Sequence, residues 1–162
     1  MKVWARVCRN AEEEAAADRE YWDTLFTPEE RVAVINDLLR DWDRMKNRSL
    51  TPDRDFSTVF TTLNRREVRY LIVGTYAFAF HLKPRYTEKL DLLVEPGDVA
   101  LEHPHVIFRP AIHGLTFEDA WATRVAAHYD GIPVHYLGRD ALIRTRIAAG
   151  DLQAFADVAA LR

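Results

Sequence analysis

The chain has 162 residues, 48% hydrophobic and 11% aromatic, with a formal net charge of −3. This size fits one domain, or one domain with a helical extension, and the apolar content is ample for a packed core, which excludes global disorder. The charge gives no overall pull towards nucleic acid or acidic membranes, so such a partner would need a local basic groove. Cys8 is the only cysteine, which excludes an intramolecular disulfide and any multi-cysteine metal site. No apolar run approaches the roughly 20 residues that span a bilayer. The opening MKVWARVCRNAEEE lacks the apolar stretch of a signal peptide. A cytoplasmic protein without membrane attachment is the expectation.

In chain order, Lys2–Cys8 alternates weakly, as a short edge strand or an extended lead-in. Asn10 is placed to cap a helix through AEEEAAADREYWDTL, whose early glutamates suit the positive end of the helix dipole. Thr27-Pro28-Glu29-Glu30 is a capping box with proline at the first helical position. Val32, Ile35, Leu38, Leu39, Trp42 and Met45 then form one apolar stripe. That stripe and Trp22 either pack on the domain's own core or form a homodimer or partner surface. Polar Asn47–Asp53, with Pro52, reads as a loop. The expected division is an N-terminal helical extension over 1–50 and a domain over 51–162. A third helix is expected from about Asp53 to Arg65, with Phe56, Val59, Phe60 and Leu63 on one face.

Tyr70–Val73 is an unalternated apolar run, as expected of a strand covered on both faces. Gly74-Thr75 leads into a short helix (Tyr76–Leu82), then a Pro84-Arg85 turn, then a second apolar strand (Leu90–Val94) in which Asp91 is the polar exception. Val106–Phe108 is a third strand, and Phe117–Trp121 one turn of helix. Arg124–Tyr129 and Ile132–Leu137 flank Asp130-Gly131, the strongest hairpin signal present. Asp140–Ala149 is a helix stopped by Gly150, and Leu152–Leu161 is a last helix.

Several residues carry possible chemistry. Gly74-Thr75 either cradles a phosphate at the start of the following helix or is a turn that needs a small residue. Asp91 is a metal ligand or base, or else the ion-pair partner of Lys89 or Arg85. Residues 89 and 91 point to one face if both lie in the strand. Lys89 would then bind an anion, silence Asp91, or simply be solvated. Arg85 and Arg146 are candidates for phosphate contact, or surface ion pairs. His103-Pro104-His105 and the pair His128 and His135 do not supply three converging metal ligands, since His128 opposes Pro133 and His135 opposes Ala126 across the hairpin. His81 and His113 are expected to be structural or exposed. No G-x-S-x-G, Walker A or H-E-x-x-H motif is present.

The order of these pieces resembles the minimal nucleotidyltransferase family, with its DNA polymerase β-like fold, and its AbiEii-like bacterial branch in particular. The resemblance rests on Asp55–Leu63, Tyr70–Thr75, Ala77–His81, Pro84-Arg85-Tyr86-Thr87, Leu90–Pro96, Phe117–Trp121, Asp130-Gly131 and Leu142–Gly150. It covers roughly residues 53–162. It implies an α/β (α+β) fold: a small mixed sheet with helices on one side, preceded by the N-terminal helices. In the family, Asp-x-Asp on the second strand and an acid on the third hold Mg²⁺ and the nucleotide phosphates. Here Lys89-Leu90-Asp91 stands at the first motif, and Ile107 falls where the third acid belongs. Thr75 replaces the second glycine, and Arg146 matches a basic position. Mg²⁺-dependent phosphoryl chemistry needs several converging carboxylates.

The resemblance therefore implies a pseudoenzyme: a nucleotidyltransferase-like protein that has lost Mg²⁺-dependent transfer. It would serve as a binding or regulatory module, or host a metal-free reaction, with no cofactor. A small-molecule or nucleotide ligand would contact Gly74, Thr75, Arg85, Thr87 and Arg146. Two alternatives stand beside it. One is an active nucleotidyltransferase using Mg²⁺ with a nucleoside triphosphate, Asp91 and Glu88 being the surviving ligands, possible in a toxin–antitoxin pair. The other is a small-molecule enzyme with Lys89 and Asp91 as an acid–base pair.

Overall fold

The computed structural model describes residues 10–45, 56–97, 101–150 and 152–162. Lys2–Cys8 and Asn47–Asp53 lie outside the described residues. Among these residues, seven helices accompany a five-stranded mixed sheet. The elements run α1 (Ala11–Leu25), α2 (Pro28–Met45), α3 (Ser57–Arg65), β1 (Tyr70–Val73), α4 (Gly74–His81), β2 (Leu90–Val94), β3 (Val106–Arg109), α5 (Phe117–Ala122), β4 (Val125–Tyr129), β5 (Ile132–Tyr136), α6 (Arg139–Ala149) and α7 (Leu152–Leu161).

Local signals fix the first two helices. Asn10 Oδ1 accepts from the Glu13 amide at 2.9 Å. Thr27 and Glu30 exchange the two hydrogen bonds of a capping box, at 2.7 and 3.2 Å. Three residues of the α2 stripe pack within the chain. Val32, Ile35 and Leu39 are buried in the same core as the strands, while Leu38 faces out. The side chains of Trp42 and Met45 are outside the described residues. Polar contacts lock the same face. Asn36 donates to the Tyr129 hydroxyl at 2.9 Å and accepts from Tyr76 at 3.3 Å. Arg31, buried, donates to the Phe26 and Phe80 carbonyls and pairs with Asp23. Lys83 and Asp18 tie α1 to the segment after α4.

The sheet order is β3-β2-β1-β5-β4. β1 is central and buried at all four positions. It pairs antiparallel with β2 and parallel with β5, which explains its unalternated apolar sequence. One face carries Tyr70, Ile72, Tyr129 and Tyr136. Against it lie Phe60 of α3, stacked on Tyr70, and Phe80 of α4, stacked on Tyr136 at 4.1 Å between centroids. The expectation of helices on one side only is corrected. His135 alternates to the other face from Tyr136, and Trp121 of α5 packs on it at 5.0 Å.

Boundaries shift by a few residues. α3 starts at Ser57 rather than near Asp53, with Phe56 at the N-cap making no side-chain cap bond. α4 starts at Gly74, two residues before the expected Tyr76. β3 runs one residue further, to Arg109. The hairpin register is the expected one, with His128 opposite Pro133 and Ala126 opposite His135. Asp130 and Gly131 both have positive φ, as that two-residue turn requires.

Candidate functional site

β1 ends beside Asp91, because Val73 is the register partner of Asp91 on β2. The chain then turns into α4 through Gly74, whose φ is +64°. A Cβ at Gly74 would stand 2.9 Å from Asp91 Oδ2. Glycine is thus needed twice, for the left-handed backbone and for the approach of the carboxylate.

Arg109 holds the other oxygen of Asp91. It comes from β3, two residues beyond Ile107, the register partner of Asp91, and so reaches Asp91 diagonally on the same face. Its Nε donates to Asp91 Oδ1 at 2.7 Å, and Nη2 lies 2.6 Å from the same oxygen. The Asp91 side chain is only 18% exposed. The partner expected for Asp91 was Lys89 or Arg85, and neither fills that place.

A cavity of about 500 Å³ opens over this pair. β1 and α4 contribute Val73, Gly74 and Thr75; β2 and β3 contribute Asp91 and Arg109; His113 follows β3; Thr145 and Arg146 come from α6. Two guanidiniums thus face one carboxylate. Ile112 and Leu142 supply apolar wall.

Among the expected site residues, Gly74, Thr75, Asp91 and Arg146 meet at this cleft. Lys89, Glu88, Thr87 and Arg85 are not among its lining. Lys89 is exposed and precedes β2, so it lies outside the pleat that would align it with Asp91. Thr87 folds back on it, donating to the Lys89 carbonyl at 3.0 Å and accepting from its amide. Glu88 is exposed and accepts from the Tyr86 hydroxyl at 2.8 Å. Arg85 lies over the Phe78 ring at 4.1 Å and pairs with Asp157 at 2.7 Å.

Asp157 is fully buried on α7. Besides Arg85 it faces Arg146, whose Nε lies 3.4 Å from Oδ2, an ion-pair distance without hydrogen-bond alignment. Gln153 donates to Oδ1 at 2.9 Å. Sequence reasoning missed Arg109, His113, Thr145 and Asp157 as site residues. Carrying the third strand one residue further puts Arg109 in β3, but its place beside Asp91 follows only from the sheet register. Asp157 stands out as the lone acid of the apolar helix LQAFADVAAL.

The donor set does not fit Mg²⁺. Among the described residues Asp91 is the only acid lining the cleft, and its charge is taken by Arg109. Among the described residues no group of three or more His, Cys, Asp or Glu side chains could hold a metal ion.

His81, His135, His103 and His105 make contacts within the frame. His81 Nε2 donates to the Leu137 carbonyl at 2.7 Å, and burial pushes its imidazole below the usual range. His135 is lowered by burial and by Arg124. The His105 amide donates to His103 Nδ1 at 3.2 Å. Among the described residues, no helix is long and apolar enough to cross a membrane.

No protein-family model matches the chain, and no curated protein matches its sequence. The candidate site therefore rests on its own geometry: a small cleft at the end of β1 with one neutralised carboxylate and two arginines.

Proposed function

We propose that this is a nucleotidyltransferase-like protein that has lost Mg²⁺-dependent transfer and uses the cleft over Gly74 and Asp91 to bind a small ligand without metal. It would act as a binding or regulatory module. The observation that carries this reading is the Asp91–Arg109 pair at 2.6 and 2.7 Å. A guanidinium stands where the resemblance calls for a cation held by carboxylates, and it is covalently part of the chain. Metal-assisted transfer needs several oxygens converging on the ion. Glu88, the other acid of that segment, is turned to Tyr86.

Titration calorimetry with ATP, GTP, CTP and UTP, each with and without Mg²⁺, tests the proposal. The expected result is that Mg²⁺ creates no nucleotide binding. Mg²⁺-dependent binding that disappears in Asp91→Asn would overturn it and favour an active nucleotidyltransferase.

A further inference from the structure

We propose that the cleft is an oxyanion site in which Arg146 makes the contact and the buried Asp157 is its positioning residue. The inference rests on the metal-free binding reading above and names the chemistry of the ligand: a phosphoryl or carboxylate group on a compact, partly apolar body.

The argument starts from Asp157. A carboxylate with no solvent exposure in an apolar helix is costly unless paired. Arg85 supplies one full pairing, at 2.7 Å, and is itself anchored over Phe78. Arg146 adds a second positive charge, its Nε lying 3.4 Å from Asp157 Oδ2 without a hydrogen bond. Its guanidinium makes no hydrogen bond among the described residues, and the side chain lines the cleft at 23% exposure. A guanidinium held by charge with Nε beside a carboxylate can present its terminal N–H groups as a planar fork, which matches two oxygens of one carboxylate or phosphoryl group. Thr75 and His113 line the same space and can add hydrogen bonds, whereas the Thr145 hydroxyl is spent on the Leu142 carbonyl at 2.8 Å. Ile112 and Leu142 give the ligand's body an apolar wall.

The test follows the arginine Nε–H resonances and the Gly74 and Thr75 amides of the full-length, ¹⁵N-labelled protein by NMR. It is titrated separately with inorganic phosphate and with acetate, with no divalent metal present. Saturable shifts at Arg146 with phosphate alone identify a phosphoryl ligand, with acetate alone a carboxylate, and with both the shared oxyanion chemistry. Arg146→Met is expected to weaken binding about tenfold, the scale of a charge-assisted hydrogen bond. Arg146→Lys should weaken it comparably, because an ammonium keeps the charge but loses the fork.

Asp157→Asn separates positioning from simple electrostatics. Removing a negative charge would by itself tighten anion binding, whereas loss of positioning weakens it. Unchanged or tighter binding in a folded Asp157→Asn protein would overturn the positioning role. If that variant does not fold, Arg146→Lys decides in its place, and binding equal to wild type overturns the fork. Absence of saturable shifts with either anion overturns the oxyanion site but leaves the metal-free reading standing. Mg²⁺-dependent nucleotide binding overturns that reading instead.

Discussion

Asp91 divides its two oxygens between a guanidinium and a glycine, and each contact makes a different demand on the sequence. Arg109 takes Oδ1. Oδ2 sits where a Gly74 side chain would begin. Gly131 provides an internal comparison. It also has positive φ, +78°, but a Cβ there would meet nothing within 4 Å. Gly131→Ala should cost about 1 kcal/mol, the backbone penalty alone. Gly74→Ala should cost about 1 kcal/mol more, because the new methyl displaces the carboxylate from its place beside Arg109. Urea denaturation of both variants measures the difference, and equal costs would contradict the close approach. Gly74 and Asp91 were legible in the sequence, because a glycine after an apolar strand and a lone acid within one are local signals. The partner of Asp91 was not, because it comes from another strand through a diagonal contact that spacing within β2 does not encode.

Among the elements, α2 shows how far local signals reach. Thr27, Pro28 and Glu30 mark its start, and its stripe shows which side is apolar. What the stripe buries against became visible only in the fold, where Ile35 and the sheet share one core. Ile35→Ala should therefore lower the stability of the whole protein by about 2–4 kcal/mol. Leu38→Ala, one turn-face away and 43% exposed, should stay within about 0.5 kcal/mol. A single cooperative denaturation curve for both variants is the check. A separate early transition in Ile35→Ala would mean that α2 unfolds independently of the domain. The start of α3 is not marked in the sequence, because its N-terminus lacks a capping side chain, Phe56 occupying that position. Without such a residue the apolar spacing alone does not say where the first turn begins.

For the molecule as a whole, the mixed α/β class was legible and the strand order was not. Order β3-β2-β1-β5-β4 joins strands distant in sequence, and it brings Arg109 and Asp91 together while α6 closes the cleft with Arg146. α7 then sets Asp157 behind Arg146, so this helix helps build the site. Arg139 donates to the Leu161 carbonyl at 2.7 Å, fixing the far end of that helix. The central claim is that the cation of this cleft is Arg109 and not a divalent metal. The most direct measurement is an NMR titration of the wild-type protein with Mn²⁺, a paramagnetic stand-in for Mg²⁺ that takes the same oxygen ligands. With Asp91 held by Arg109, the Gly74, Asp91 and Arg109 amides should broaden no more than exposed acidic sites such as Glu88. Selective, saturable broadening centred on Asp91 would contradict the account.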